Sequence, residues 1–142
     1  ETKGTSKELP TVNEGPQFIT HGNKLHIVYS ASGCSSDGYA FGLLTADANA
    51  DLMNPSSWVK SPAPLFQKNV DGKAFGPGHN AFFKSPDGKE DWIIYHANPE
   101  PGQGCGKHRS TRMQRFGWNT DGQPQFGKPV PLGEAITVPS GE

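Results

Sequence analysis

Two residues stand out for the chemistry they could do: Glu14, in Asn13-Glu14-Gly15-Pro16, and His79, in Gly76-Pro77-Gly78-His79-Asn80. A carboxylic acid and an imidazole brought together suit proton transfer. They lie far apart in the chain, so only the fold can join them. Taken alone, Glu14 also fits an exposed acid beside a Gly-Pro turn, and His79 a histidine that merely orients its neighbours.

The elements that must position them are short strands. The 142 residues include 18 glycines and 13 prolines, about a fifth of the chain against an average share near 12%, which argues against long helices. Apolar residues fall in short β-branched and aromatic runs, predicting strands over residues 25–29, 39–45, 92–95 and 113–118. Ser85-Pro86-Asp87-Gly88 and Asn119-Thr120-Asp121-Gly122 read as tight turns between antiparallel neighbours.

The chain repeats itself. Glu14-Gly15-Pro16-Gln17-Phe18 leading to Ile27-Val28-Tyr29-Ser30-Ala31 is answered by His79-Asn80-Ala81-Phe82-Phe83 leading to Ile93-Ile94-Tyr95-His96-Ala97. Ala40-Phe41-Gly42-Leu43 is answered by Arg115-Phe116-Gly117-Trp118, and fourth strands are expected within residues 58–65 and 126–132. Each unit is a four-stranded antiparallel meander, the blade of a β-propeller, whose sheets bury their faces against the next blade. The all-β reading is therefore two blades, over residues 11–72 and 73–142, the second with a closing segment, after a flexible end at residues 1–10. Two blades cannot close a ring, and at ~65 residues per blade a full ring needs roughly 260 residues or more. The alternative is a small self-contained sandwich.

Blade geometry places Glu14 and His79 at equivalent inner positions, converging on one axial cavity. Cys34 and Cys105 each follow the Tyr-containing second strand of their unit, so their loops should lie side by side. A bridge between them would stabilise by on the order of 3 to 4 kcal/mol and points to an oxidising compartment.

A net charge of -1 with 19% charged residues gives no basic footprint for nucleic acid or anionic membrane. No apolar run is long enough to span a bilayer. The first twenty residues lack a signal-peptide pattern, so the chain reads as mature or internal.

Several strings carry a resemblance: Val12-Asn13-Glu14-Gly15-Pro16, Tyr29-Ser30-Ala31-Ser32-Gly33, Gly42-Leu43-Leu44-Thr45-Ala46, Asn54-Pro55-Ser56-Ser57-Trp58, Gly76-Pro77-Gly78-His79-Asn80 and Ser85-Pro86-Asp87-Gly88-Lys89-Glu90-Asp91-Trp92 leading to Tyr95-His96-Ala97. Together they are similar to glycoside hydrolase family 43, in its extracellular arabinan-degrading form. The similarity runs in order over residues 11–133. It implies a secreted enzyme with a five-bladed propeller that inverts arabinofuranosyl or xylosyl linkages, of which this chain holds the fourth and fifth blades.

The resemblance implies that Glu14 is the general acid, giving a proton to the departing glycosidic oxygen. Inversion needs a second carboxylate about 6.5 to 9.5 Å away to activate water. In the family, the base aspartate and a tuning aspartate both precede the region matched here, and Asp37, Asp47, Asp71 and Asp91 are not expected to replace them. His79 matches a channel histidine facing a water-coordinated ion, usually calcium, although calcium prefers oxygen ligands. The run Arg109-Ser110-Thr111-Arg112-Met113-Gln114 resembles the arginine-bearing strand that reaches the sugar. Residues three apart on a strand face opposite ways, so the two should not both point inward unless a bulge intervenes; Arg112 is preferred and Arg109 is the alternative.

Phe75, before the channel histidine, is the candidate for stacking on the sugar, whereas Tyr39, Phe41, Trp92 and Trp118 are expected in the core. His21, His26, His96 and His108 are expected to pack or to lie in loops. The chain should be inactive alone and completed by an N-terminal three-blade polypeptide, as a nicked or split enzyme acting on an oligosaccharide or polysaccharide. The competing expectation is a non-catalytic carbohydrate-binding propeller fragment.

Overall fold

The computed structural model describes residues 12–142 as two four-stranded antiparallel sheets, each with its strands in sequence order. The first holds β1 (Asn13–His21), β2 (Lys24–Ala31), β3 (Ala40–Asp47) and β4 (Val59–Lys60). The second holds β5 (Phe75–Lys84), β6 (Asp91–Asn98), β7 (Ser110–Trp118) and β8 (Pro124–Gln125). The flexible end expected at residues 1–10 lies outside the described residues.

Alternation decides which side chains meet between the sheets. On β2, His26, Val28 and Ser30 are fully buried, and on β6 Ile93, Tyr95 and Ala97 are buried in the same way. Val28, Ile93, Tyr95 and Ala97 join Phe41, Leu43, Phe66, Phe116 and Phe126 in one core. Each large apolar side chain buried there contributes roughly 1.5 to 3 kcal/mol. The opposite parity of the first sheet is less covered: Phe18, Ile27 and Leu44 are register partners in one row, and Phe18 is 61% exposed. That row is an apolar flank with no third sheet against it among the described residues.

Polar contacts lock the two sheets together. His26, expected only to pack, is buried and reaches the second sheet, its Nε2 2.8 Å from the Gly122 carbonyl and its Nδ1 3.0 Å from Thr45 Oγ1. His21 stacks on Trp118 with ring centroids 4.3 Å apart. The turns at residues 85–88 and 119–122 form as expected, Gly88 N–H donating to Ser85 O and Gly122 N–H to Asn119 O.

The second fourth strand differs from expectation. Residues 126–132 do not extend it; β8 is only Pro124–Gln125. Gly127 takes a positive φ of 71°, and Pro129 and Pro131 have no N–H to give a ladder. The Val130 N–H instead donates to Gln114 Oε1 at 3.0 Å and to the Tyr95 hydroxyl at 3.1 Å. No helix among the described residues is long and apolar enough to cross a membrane.

Candidate active site

In antiparallel meanders the odd strands start, and the even strands end, at one rim. Here the starts of β1, β3, β5 and β7 and the ends of β2 and β6 bring together Glu14, Tyr39, His79, His96 and Arg109. The loops after β2 and β6 rise from this rim. They are stapled by the Cys34–Cys105 disulfide, with Cα atoms 5.1 Å apart, and by the Gly102 N–H donating to Asp37 Oδ1 at 2.9 Å.

Glu14 stands opposite Ser30, and the ladder slips between Glu14 and Gln17. Gly15 takes a φ of +57° there, and Pro16 cannot donate to the ladder, so the strand bulges next to the acid. A Cβ on Gly15 would meet the His79 imidazole at 3.4 Å, so β1 and β5 pass side by side. The sheet register makes Gly78, opposite His96, the counterpart of Glu14 opposite Ser30. His79 follows with a φ of 55°, a conformation uncommon for a non-glycine residue. Its N–H is held by Ser30 Oγ at 2.7 Å, and its side chain is exposed.

Two residues expected only to pack complete the group. Tyr39 is buried, and its hydroxyl donates to Glu14 Oε1 at 2.6 Å. Burial first, then the Glu14 hydrogen bond, push that hydroxyl up to about 12, so it stays a donor at neutral pH. The Tyr39 ring stacks on His96 at 6.1 Å, and the His96 ring lies 6.1 Å from His79.

Burial first, then the neighbouring Arg109 and His79, hold the His96 imidazole down to about 4. Arg109 Nη1 lies 3.0 Å from His96 Nε2. A guanidinium can only donate, so Nε2 accepts and the proton of neutral His96 sits on Nδ1, which is buried without a partner among the described residues.

The arginines are placed opposite to the stated preference. Arg112 is buried and points into the structure, its Nη2 donating to the Lys73 carbonyl at 2.8 Å and its Nη1 to the Val130 carbonyl at 3.3 Å. It shares the inward parity of Gln114 and Phe116 on β7, whereas Arg109 precedes the strand and reaches the rim. Phe75 is also displaced from its expected role. It begins β5 opposite Asn98 and is 7% exposed, so it presents no open face to a sugar.

Asp37, Asp47, Asp71 and Asp91 are held elsewhere. Asp37 is tied to Gly102, Asp47 to Lys24 and Asp91 to Lys84, and Asp71 lies in an exposed turn. Among the described residues no three His, Cys, Asp or Glu side chains are arranged to hold a metal ion. His79 offers one imidazole there, and the amide of the following Asn80 is buried without a partner among the described residues. These residues do not make a calcium site by themselves.

What the rim holds is an acid with a fixed hydrogen-bond donor, a neutral histidine and an arginine, set between two sheets of a repeated meander. The sequence profile of Glycosyl hydrolases family 43 matches residues 1–124. The chain belongs to this family. It is 45% identical over 130 residues to an extracellular exo-α-(1→5)-L-arabinofuranosidase of Streptomyces avermitilis, covering 89% of this chain and 26% of that protein. It is also 45% identical over 128 residues to α-L-arabinofuranosidase 43 of Humicola insolens, covering 86% of this chain and 26% of the relative. The crystal structure of an α-L-arabinofuranosidase from Lactobacillus brevis superposes with a TM-score of 0.80 at 42% identity, over 87% of this chain and 39% of the other. The family-43 chain thus supplies two propeller blades and spans about a quarter of the length of the curated relatives it matches.

Proposed function

We propose that this chain is the acid-bearing part of a secreted, inverting glycosidase that releases L-arabinofuranosyl units from arabinan or arabinose-decorated hemicellulose. Glu14 gives its proton to the glycosidic oxygen. Arg109, rather than the buried Arg112, faces the sugar. The base aspartate comes from three N-terminal blades, carried by the same precursor or by a separate polypeptide. The observation that carries this reading is Glu14 at the shared rim, its Oε1 accepting the hydrogen bond of Tyr39. The uncovered row of Phe18, Ile27 and Leu44 supports it, because a blade face needs a neighbour. The names of the relatives support the substrate class and secretion.

The test is reconstitution. The chain is expressed alone and together with the N-terminal blades, and arabinose release from arabinan is followed with the anomeric configuration of the first-formed product. Activity only in the combined protein, with inversion, is expected. Turnover by the chain alone, or retention of configuration, would overturn the reading; sugar binding without turnover in the combined protein would favour a carbohydrate-binding fragment.

A further inference from the structure

We infer that Tyr39 is the positioning residue of the acid: its hydroxyl holds Glu14 Oε1, so that Oε2 carries the proton towards the leaving oxygen. The inference rests on Glu14 being that acid. A carboxylic acid has one proton and two oxygens, and a hydroxyl donating to one of them at 2.6 Å leaves the other to be protonated.

During the reaction the proton leaves Oε2 for the glycosidic oxygen as its bond to the anomeric carbon breaks. The water that attacks that carbon yields its proton to the base aspartate of the N-terminal blades. The O–H electron pair stays on Glu14, and its charge spreads to Oε1, where Tyr39 already donates. The hydrogen bond is therefore stronger at the transition state than before it, which is the condition for accelerating the step.

The fold gives this hydroxyl little freedom. The Tyr39 ring is buried, lies on His96, and fills the space left by Gly78, where a Cβ would stand 1.7 Å from the ring. Position 78 therefore cannot carry a side chain without moving Tyr39. The charged and titratable groups around this pair are His79 from β5, His96 from β6 and Arg109 before β7; His96 is neutral and hydrogen-bonded to Arg109. None of them touches Glu14 Oε1 among the described residues, so the tyrosine hydroxyl is the group that fixes this oxygen.

The experiment is Tyr39→Phe in the complete enzyme, which keeps the ring packing and removes the hydroxyl. Turnover of unactivated arabino-oligosaccharides should fall about tenfold, the order expected for a hydrogen bond to a charged group. Turnover of an aryl arabinofuranoside with a good leaving group should fall less than about twofold, because proton donation matters little there. The alkaline limb of kcat/KM should move to higher pH, since the lost hydrogen bond favours a negative charge on the oxygen that accepts it.

An equal loss on both substrates with an unmoved alkaline limb would show that Tyr39 only packs, and would overturn the inference. Glu14→Gln separates this inference from the reading beneath it. If that variant keeps full turnover of oligosaccharides, the assignment of Glu14 falls. If it abolishes that turnover while Tyr39→Phe behaves as the parent enzyme, only the inference about Tyr39 falls. In the double variant, Tyr39→Phe should add nothing to Glu14→Gln, because its effect passes through Glu14; independent losses that add would contradict this.

Discussion

Gly78→Ala puts the architecture of the rim under direct strain. Gly78 faces His96 across the β5–β6 ladder, and an ideal Cβ there would lie 1.7 Å from Cε1 and 2.3 Å from Cδ1 of Tyr39. Gly78 is not among the glycines with positive φ, so alanine meets no backbone penalty and the cost is steric. The ring cannot retreat, being buried and stacked on His96. Overpacking of this kind costs about 1 to 3 kcal/mol, and displacing the ring also forfeits the hydroxyl bond to Glu14, so a loss of about 3 kcal/mol or more is expected. The assay is urea unfolding of the complete enzyme followed by tryptophan fluorescence, with oligosaccharide turnover measured on the same samples. Gly117→Ala on β7 is the control, because a Cβ there meets nothing within 4 Å and should change stability by no more than about 0.5 kcal/mol. Equal midpoints and equal activities for the two variants would refute the placement of Tyr39.

Other consequences are as specific. Replacing Cys34 and Cys105 by serine removes a bridge of sequence separation 71 and should cost about 4 kcal/mol by loop-closure entropy; an unchanged unfolding midpoint would contradict it. Arg112→Met should lower stability by about 2 to 3 kcal/mol by orphaning the Lys73 and Val130 carbonyls, while Arg109→Lys should lower kcat/KM about tenfold with little change in stability. The reverse pattern would restore Arg112 as the sugar contact. Burial holds both His26 and His96 below their ordinary 6.5, the latter at about 4. Between those values the unfolded chain binds protons that the fold excludes, so the contribution of these imidazoles should lower stability as pH falls from about 7 towards 4, below which the depressed carboxyl of Asp87 continues the decline. A urea midpoint that stays flat across that window would show that neither imidazole is held neutral.

The repeat was legible because tandem meanders reuse one pattern: Tyr29-Ser30-Ala31 and Tyr95-His96-Ala97 end equivalent strands, and the cysteines fall in the loops beyond. Glu14 was legible from its Asn-Glu-Gly-Pro string. Tyr39 and His96 were not, since an aromatic in an apolar run reads as core, and both do pack; the hydroxyl and imidazole make their polar contacts at the edge of that packing. Their position was the available signal, because each sits where a strand meets the rim that carries Glu14. The burial of Arg112 was not legible because alternation says that Arg109 and Arg112 differ in direction without saying which is buried, and Arg109 lies before the first residue of β7. Phe75 is more covered than its place before His79 in the sequence suggested, because proximity along the chain says nothing of a ring's burial. The short β8 follows from the proline spacing at 129 and 131, a signal present in the sequence but outweighed by the analogy with the first unit.

The most direct measurement of the role of Glu14 is the dependence of turnover on leaving-group basicity in a series of aryl arabinofuranosides, for the complete enzyme and for Glu14→Gln. If Glu14 supplies the proton, the parent enzyme shows a shallow dependence and the variant a steep one, the two converging at the best leaving groups. Parallel lines, displaced by the same factor for every substrate, would contradict it and move the acid elsewhere.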